Sequence, residues 1–384
     1  MLKSNYKLGI LGGGQLGKML IQAASKWDLQ TYVLDPDINC SSASLCTSFE
    51  QGSFKDFDTV YNFGKKVDLI TFEIEHVNTE ALKKLENEGK LVYPQPFALD
   101  IIKDKGLQKE FYKEHGIPTS KFQLFSSKKE IIDAITKNVI QLPFVQKSRE
   151  EGYDGKGVLT VKEEKDLDLL FDTPSLIEEL VPIEKELAVI VSRNPDNDTI
   201  TFPTVEMEFS SDANLVEQLI CPSKISEDQD EKTRDIAVAI IQKLNMVGNL
   251  AVEFFLTKTG DILVNEVAPR PHNSGHHTIE STYTSQFEQH LRAITNLPLG
   301  STKLIAPSVM INILGHPDYE GDAIYTNVDT CLKLEGVYIH VYGKKITKPY
   351  RKMGHVTIMD NTIEKAKTKA NIVKNKLTVI SNEK

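Results

Sequence analysis

The chain has 384 residues, 40% hydrophobic and 26% charged, which describes an ordinary soluble globular protein with ample core for two or three domains. A net charge of −9, with Lys and Arg scattered, argues against nucleic acid or an anionic membrane as the main partner. Cys40, Cys46, Cys221 and Cys331 lack C-x-x-C spacing, so neither zinc nor a disulfide framework is expected. With no signal peptide and no apolar run of the ~18 residues a span needs, the cytosol is the default location.

Residues 8–11 read as a short buried strand running into Gly12-Gly13-Gly14-Gln15-Leu16-Gly17 and a helix to about Trp27. The next strand, 31–34, ends at Asp35, 18 positions beyond the last glycine. This matches the G-x-G-x-x-G pattern of a dinucleotide-binding βαβ unit. The glycines equally fit a helix N-terminus that meets another anion or packs closely on the sheet. A strand over 67–72 ends in Glu73-Ile74-Glu75-His76, where open α/β sheets keep their binding crevice; a solvated loop is the plain alternative. A helix over 79–88 and Tyr93-Pro94-Gln95-Pro96 close a first domain, 1–97.

A Lys-rich helical segment spans 99–115, and the strand over 142–147 ends in Lys147. The following loop, Gly152-Tyr153-Asp154-Gly155-Lys156-Gly157, offers amides and an ammonium that can fold over phosphates. It is not a P-loop, and Asp154-Gly155 also fits a simple hairpin turn. Residues 176–181 form a strand ending in polar backbone, Glu186 precedes a strand over 187–191, and 202–205 lead through a turn to a long helix, 231–245.

Two further strands, 252–256 and 262–267, flank a Thr259-Gly260 turn. An even-length loop there sets Glu253 opposite Glu266 on one face, with Cβ atoms about 5 Å apart. Two facing carboxylates repel, so a cation belongs between them, and Mg²⁺ suits hard oxygen ligands that also meet phosphates. Strand alternation points Asn265 to the other face unless the chain bends at Glu266. The plain alternative is an edge hairpin with solvated acids. Against it stands Arg270-Pro271-His272-Asn273-Ser274-Gly275-His276-His277, a costly cationic turn unless it binds something anionic. Beyond residue 300 lies a portion of short strands and turns, with frayed final residues 381–384. Its cations around Lys344, Arg351 and Lys352 form either a solvated edge or a phosphate clamp.

The strand lysine, glycine-lysine loop, Glu178-Glu179-Leu180-Val181 segment, Glu186 and carboxylate hairpin together resemble the ATP-grasp fold. More specifically, five stretches resemble the signatures of the N5-carboxyaminoimidazole ribonucleotide synthases of purine biosynthesis. They are Gly12–Gly17, Phe72–His76, Gly152–Gly157, Asn265–His276 and Arg351–His355. The resemblance covers nearly the whole chain and implies an α/β and α+β architecture in three parts. These are a Rossmann-like pre-ATP-grasp domain (1–97), an ATP-grasp domain (98–300) with a lid subdomain near 120–182, and a small β-rich domain (301–384).

It also implies a cytoplasmic homodimer that uses ATP and Mg²⁺, with neither biotin nor NAD, to carboxylate 5-aminoimidazole ribonucleotide with bicarbonate through carboxyphosphate. The 152–157 loop then has reason to close and exclude water. The nucleotide site would comprise Lys105, Lys147, Gly152, Tyr153, Asp154, Gly155, Lys156, Gly157, Glu178, Glu179, Leu180, Val181, Glu186, Asn265 and Glu266, with Glu253 and Glu266 on the metal. Gln15, Leu16, Glu73, Glu75, His272, Asn273, Ser274, Lys344, Arg351 and Lys352 would hold the ribonucleotide. Tyr153, Asp154, Arg270 and Lys352 would act on the chemistry. Two departures stand out. Lys348-Pro349-Tyr350 replaces the family's Arg-Pro-Gly, leaving that turn open, and Phe209 sits where many members carry His. The rival reading is a sister ATP-grasp enzyme such as a formate-using ribonucleotide formyltransferase; a nucleotide-binding regulator without turnover and an NAD oxidoreductase are more distant alternatives.

Overall fold

The computed structural model describes residues 3, 5–150, 157–209 and 216–382. Apolar runs without alternation build the first sheet, as expected of parallel strands covered on both faces. Its strands are β1 (Lys7–Leu11), β2 (Gln30–Asp35), β3 (Ser48–Gln51), β4 (Leu69–Phe72) and β5 (Leu91–Val92), in the order β3-β2-β1-β4-β5. Helices α2 (Phe57–Gly64) and α3 (Thr79–Asn87) cover one face through Val60, Phe63, Leu82 and Leu85. Helix α1 (Gln15–Ala24) covers the other, and its Leu16, Met19 and Leu20 share a core with Phe287, Leu291 and Tyr342 from later in the chain.

The Lys-rich segment is two helices, α4 (Pro96–Lys103) and α5 (Lys105–Glu114), rather than one. Asp104 between them is extended (φ −107°, ψ 110°), and its carboxylate caps α5 by accepting from the Gly106 and Leu107 N–H groups at 2.7 and 3.2 Å. Arg149 clamps the same carboxylate through two hydrogen bonds of 2.9 and 2.6 Å. The break re-aims α5.

A four-stranded antiparallel sheet follows, β6 (Phe122–Phe125), β7 (Phe144–Ser148), β8 (Val158–Val161) and β9 (Ser175–Glu179) in the order β6-β9-β7-β8. Helix α6 (Lys128–Thr136) packs Ile131 and Ala134 against its Phe144, Val161 and Ile177. The large sheet begins with β10 (Ile183–Arg193), β11 (Thr199–Thr201), β12 (Val205–Phe209) and β13 (Val216–Cys221). Phe202 is buried but lies between β11 and β12 rather than in a strand. Helix α7 (Glu227–Lys243), opened by a Ser226–Gln229 capping box, packs Ala237, Ile240 and Ile241 under β10 and under β14 (Gly248–Thr257) and β15 (Ile262–Ala268).

After α8 (Thr278–Ser281) and α9 (Gln286–Ile294), strand β16 (Ser308–Leu314) pairs with β13, so the sheet runs on past residue 300. Small ladders join β17 (Gly321–Asp322) to β20 (Ile346–Thr347) and β18 (Ile324–Thr326) to β22 (Thr378–Ile380). Helix α10 (Val328–Leu332) precedes β19 (Val337–Val341), which closes the large sheet against β21 (Lys352–Met359); its path is β15-β14-β10-β12-β13-β16-β21-β19. The last portion is not only strands and turns, because the 14-residue α11 (Ile363–Lys376) buries Ala366, Ala370 and Val373. Nor is Ser381 frayed: it is buried, and its hydroxyl donates to the Glu320 carbonyl at 3.0 Å. Among the described residues no helix is long and apolar enough to cross a membrane.

The turn before Arg351 keeps a glycine's conformation without a glycine. Tyr350 has φ +59°, its N–H donates to the Gly315 carbonyl at 2.9 Å, and its side chain is 43% exposed. A left-handed backbone costs a Cβ-bearing residue roughly 1–2 kcal/mol, of which glycine's greater unfolded-state entropy returns part. Tyr350→Gly is therefore expected to raise the thermal midpoint by about 1 °C. A lower midpoint would show that the tyrosine ring packs better than its exposure implies.

Candidate functional site

In the hairpin, Glu253 stands opposite Glu266. The loop that brings them there is odd, not even: the Thr257 N–H donates to the Asp261 carbonyl at 2.9 Å, around residues 258–260 with Gly260 at φ +88°. Continued regularly, that loop would set Glu253 against Asn265. A bulge between the Glu253–Glu266 and Phe254–Val264 pairs absorbs Asn265 and moves Glu266 into register. The bulge also overturns the expectation that Asn265 faces away, since its Oδ1 accepts from Lys147 Nζ at 2.8 Å.

Glu186 joins them, because Glu253 pairs with Ala188, two residues along β10 and on the same face. Burial, with Glu266 and Glu186 nearby, pushes the Glu253 carboxyl well up. Burial acts the same way on Glu266, but Lys105 Nζ at 2.6 Å holds it low. Glu186 is pushed up to about 7 by burial, against the pull of Lys147. An ion between Glu253 and Glu266 would relieve this crowding. Among the described residues no three His, Cys, Asp or Glu side chains gather to hold a metal by themselves. Two carboxylates needing phosphate oxygens to complete the shell fit Mg²⁺.

Beneath this face lies a chain of buried charges. Glu178 Oε2 is 2.6 Å from Lys147 Nζ, and its Oε1 is 2.5 Å from Lys109 Nζ and accepts from the Ser120 hydroxyl at 2.5 Å. Burial alone would raise the Glu178 carboxyl, but the two ammoniums hold it down to about 2. Burial pushes the Lys109 ammonium down to about 8. Lys109 was not singled out in the sequence. Its signal was there: it follows Lys105 by one helical turn. Of the adenine-edge candidates, Glu179 has its N–H engaged by the Lys121 carbonyl at 3.0 Å, while Leu180 is 40% exposed.

A cleft of about 580 Å³ opens between these elements and the first domain. Gln15, Leu16, Glu73, Glu75, Lys105, Glu253, Glu266, Arg270, His272, Asn273, Ser274 and Lys352 all line it, together with Phe209 and Met207. Another opening of about 540 Å³, between His115–Pro118 and the acidic outer face of α7, shares none of these residues. Lys344 and Arg351 do not line the cleft. Lys344 Nζ donates to the Lys352 carbonyl at 2.8 Å, and the exposed Arg351 donates to the Ile346 carbonyl at 2.6 Å. Gly152, Tyr153, Asp154, Gly155 and Lys156 lie outside the described residues, and Gly157 has φ +72°.

The glycine-rich turn is filled from within. Glu73 accepts from the Gly14 and Gly17 N–H groups at 2.7 and 3.1 Å, and Asp35 from Gly13 at 2.7 Å. A Cβ on Gly14 would lie 2.7 Å from Glu73 Oε1, so the glycine admits a carboxylate of this chain. The N-terminus of α1, where a dinucleotide's pyrophosphate would rest, is thus occupied by an internal acid. Burial pushes Glu73 up to about 6, opposed by those N–H groups. Next to it, Glu75 Oε1 pairs with Arg270 Nη2 at 2.7 Å.

His272 closes the cleft floor 3.8 Å from Glu253, and Gln286 fixes its backbone through hydrogen bonds of 2.8 and 2.7 Å. Asn273 bonds Asn312 of β16 at 2.9 Å, tying the Arg-Pro-His turn to the last portion.

Comparison with known proteins places these elements. The ribonucleotide synthetase preATP-grasp domain matches residues 5–103, the ATP-grasp domain 110–287, and the phosphoribosylaminoimidazole carboxylase C-terminal domain 308–369. The chain is 39% identical over 365 residues to the chloroplastic phosphoribosylaminoimidazole carboxylase of Vigna aconitifolia, matching 93% of its own length but 64% of that longer protein. It is 36% identical over 357 residues to the N5-carboxyaminoimidazole ribonucleotide synthase of Bacillus subtilis, covering 92% and 91% of the two chains. The Thermotoga maritima N5-carboxyaminoimidazole ribonucleotide synthetase superposes with TM-score 0.91 at 43% identity, over 98% of this chain and 100% of that one. An Aspergillus clavatus N5-carboxyaminoimidazole synthase, solved with ADP and 5-aminoimidazole ribonucleotide, gives 0.88 at 32% identity over 97% and 98%.

Proposed function

The chain belongs to the N5-carboxyaminoimidazole ribonucleotide synthase family, ATP-grasp enzymes of purine biosynthesis, and on that premise we propose how its residues divide the ATP-dependent carboxylation of 5-aminoimidazole ribonucleotide. One observation carries the reading. The carboxylate pair and the Lys105 ammonium line the same cleft as Gln15, Glu73, Glu75, Arg270 and Lys352. A triphosphate at the first group lies next to a ribonucleotide at the second. Lys105 and Lys147 neutralise phosphates, Leu180 and Val181 offer backbone to the adenine edge, and Glu186 accepts from ribose hydroxyls. Glu253 and Glu266 would hold Mg²⁺, which screens the phosphate charge when bound.

Bicarbonate oxygen displaces ADP from the γ-phosphorus, giving carboxyphosphate. The exocyclic amine of the ribonucleotide then takes the carboxyl carbon, releasing phosphate and one amine proton. Asp154, in a loop that must approach phosphates, is better suited to accepting that proton than to facing ATP, and Tyr153 to holding the imidazole. Arg270 orients the bicarbonate-derived group and Lys352 the ribonucleotide. A homodimer is carried over from the family resemblance.

The test is ADP release with and without the aminoimidazole ribonucleotide, in bicarbonate and then in formate. Turnover should require bicarbonate and rise with the ribonucleotide. Turnover sustained by formate alone would favour a formyltransferase.

A further inference from the structure

Lys147 Nζ donates to Glu178 Oε2 at 2.6 Å and to Asn265 Oδ1 at 2.8 Å. An ammonium has three donors, so these two bonds fix the direction of the third. A carboxylate this close, and only 4% exposed, would nonetheless cancel the charge that a phosphate is to feel. Glu178 is not left to Lys147 alone. Its other oxygen is held by Lys109, whose side chain is 3% exposed and is fixed by the Thr119 hydroxyl at 2.5 Å and the Ser120 hydroxyl at 3.1 Å. An ammonium this buried is costly to keep, and packing alone would be served by Met or Leu. Its one charged partner among these contacts is Glu178.

We propose that Lys109 is a positioning residue of the nucleotide site: it compensates Glu178, so that Glu178 can orient Lys147 without cancelling its charge. The buried trio Lys109–Glu178–Lys147 then carries one net positive charge, all of it presented by Lys147. The inference rests on the nucleotide site proposed above.

The test is a charge-balance series read as KM for ATP against KM for the ribonucleotide. Lys109→Gln keeps hydrogen-bonding capacity and removes the charge. It should raise the KM for ATP at least about tenfold, the order expected for one charge near a phosphate at an effective dielectric of ~20, with the ribonucleotide KM held. Adding Glu178→Gln restores one net positive charge, so the double variant should recover to within about threefold of the parent. A purely structural lysine would give no such rescue, and a double variant as weak as Lys109→Gln would overturn the proposal. If Lys109→Gln does not fold, Lys109→Met, alone and combined with Glu178→Gln, makes the same comparison, the single variant being expected to raise the KM for ATP and the double to recover it. A double variant as weak as the single would then overturn the proposal. Lys147→Met separates the two levels. If it leaves the KM for ATP unchanged, the nucleotide-site reading falls, and this inference with it. If it weakens ATP while Lys109→Gln does not, only this inference falls.

Discussion

Glu266→Gln is expected to lower ATP turnover by about 10²-fold or more, the range seen when a preorganised charge is removed from a reacting phosphate or oxyanion. The substitution keeps the shape of the side chain and its place opposite Glu253. It changes two things. Lys105 loses the carboxylate 2.6 Å from its ammonium, and the pair across β14 and β15 loses the charge that would attract a divalent ion. The fold should survive, because Glu266 is held at the cleft wall, and removing one of two crowded acids offsets part of the cost of leaving Lys105 unpaired. The measurement is turnover as a function of Mg²⁺, with the thermal midpoint as a control. Half-saturation should move to much higher Mg²⁺. A variant that is slow but has an unchanged Mg²⁺ dependence would take the metal away from this hairpin and leave Glu266 as the anchor of Lys105 alone.

That facing pair was legible from alternation and a turn, yet the route to it was not. Regular strand alternation needs an even loop to pair these acids, whereas an odd loop and a bulge at Asn265 reach the same pairing. The difference matters chemically, because only the bulge turns Asn265 toward Lys147. A bulge is a long-range compromise between two strands and leaves no local mark. The glycine motif shows a similar limit. Its glycines announced a helix N-terminus close to an anion, but the anion is Glu73, 59 positions further on, which no local spacing reveals.

Lys109 was readable as the helical neighbour of Lys105. Its role needed Glu178 and Lys147, which arrive from other strands. Helix α11 was missed although Ala366, Ala370 and Val373 recur at helical spacing, because small residues give a weak apolar stripe. The pairing of β13 with β16, which carries the large sheet past residue 300, depends on segments about ninety positions apart. No local pattern fixes that register.

Arg270→Ala is expected to reduce product formation by about 10²-fold or more while the KM for ATP changes little. The guanidinium is 18% exposed in the cleft wall; Nη2 pairs with Glu75 at 2.7 Å and Nη1 donates to the Pro271 carbonyl at 3.1 Å. Its Nε is buried and has no hydrogen-bond partner among the described residues. A buried guanidinium donor without an acceptor is costly, and a planar oxyanion such as bicarbonate supplies acceptors in the right plane.

The rival account gives Arg270 a bracing role only, fastening the first domain to the hairpin through Glu75. Glu75→Gln separates the two. It keeps an oxygen for Nη2 and removes the charge, so a brace would be weakened about as much by either substitution. A group acting on bicarbonate would suffer far more from losing Arg270 than from neutralising its partner. Product formation at varied bicarbonate, compared across the two variants, decides between them, and equal losses with an unchanged KM for bicarbonate would leave Arg270 as a brace. Arg270→Lys should fall between the two, since an ammonium restores the charge near Glu73 and Glu75 but not the paired planar donors.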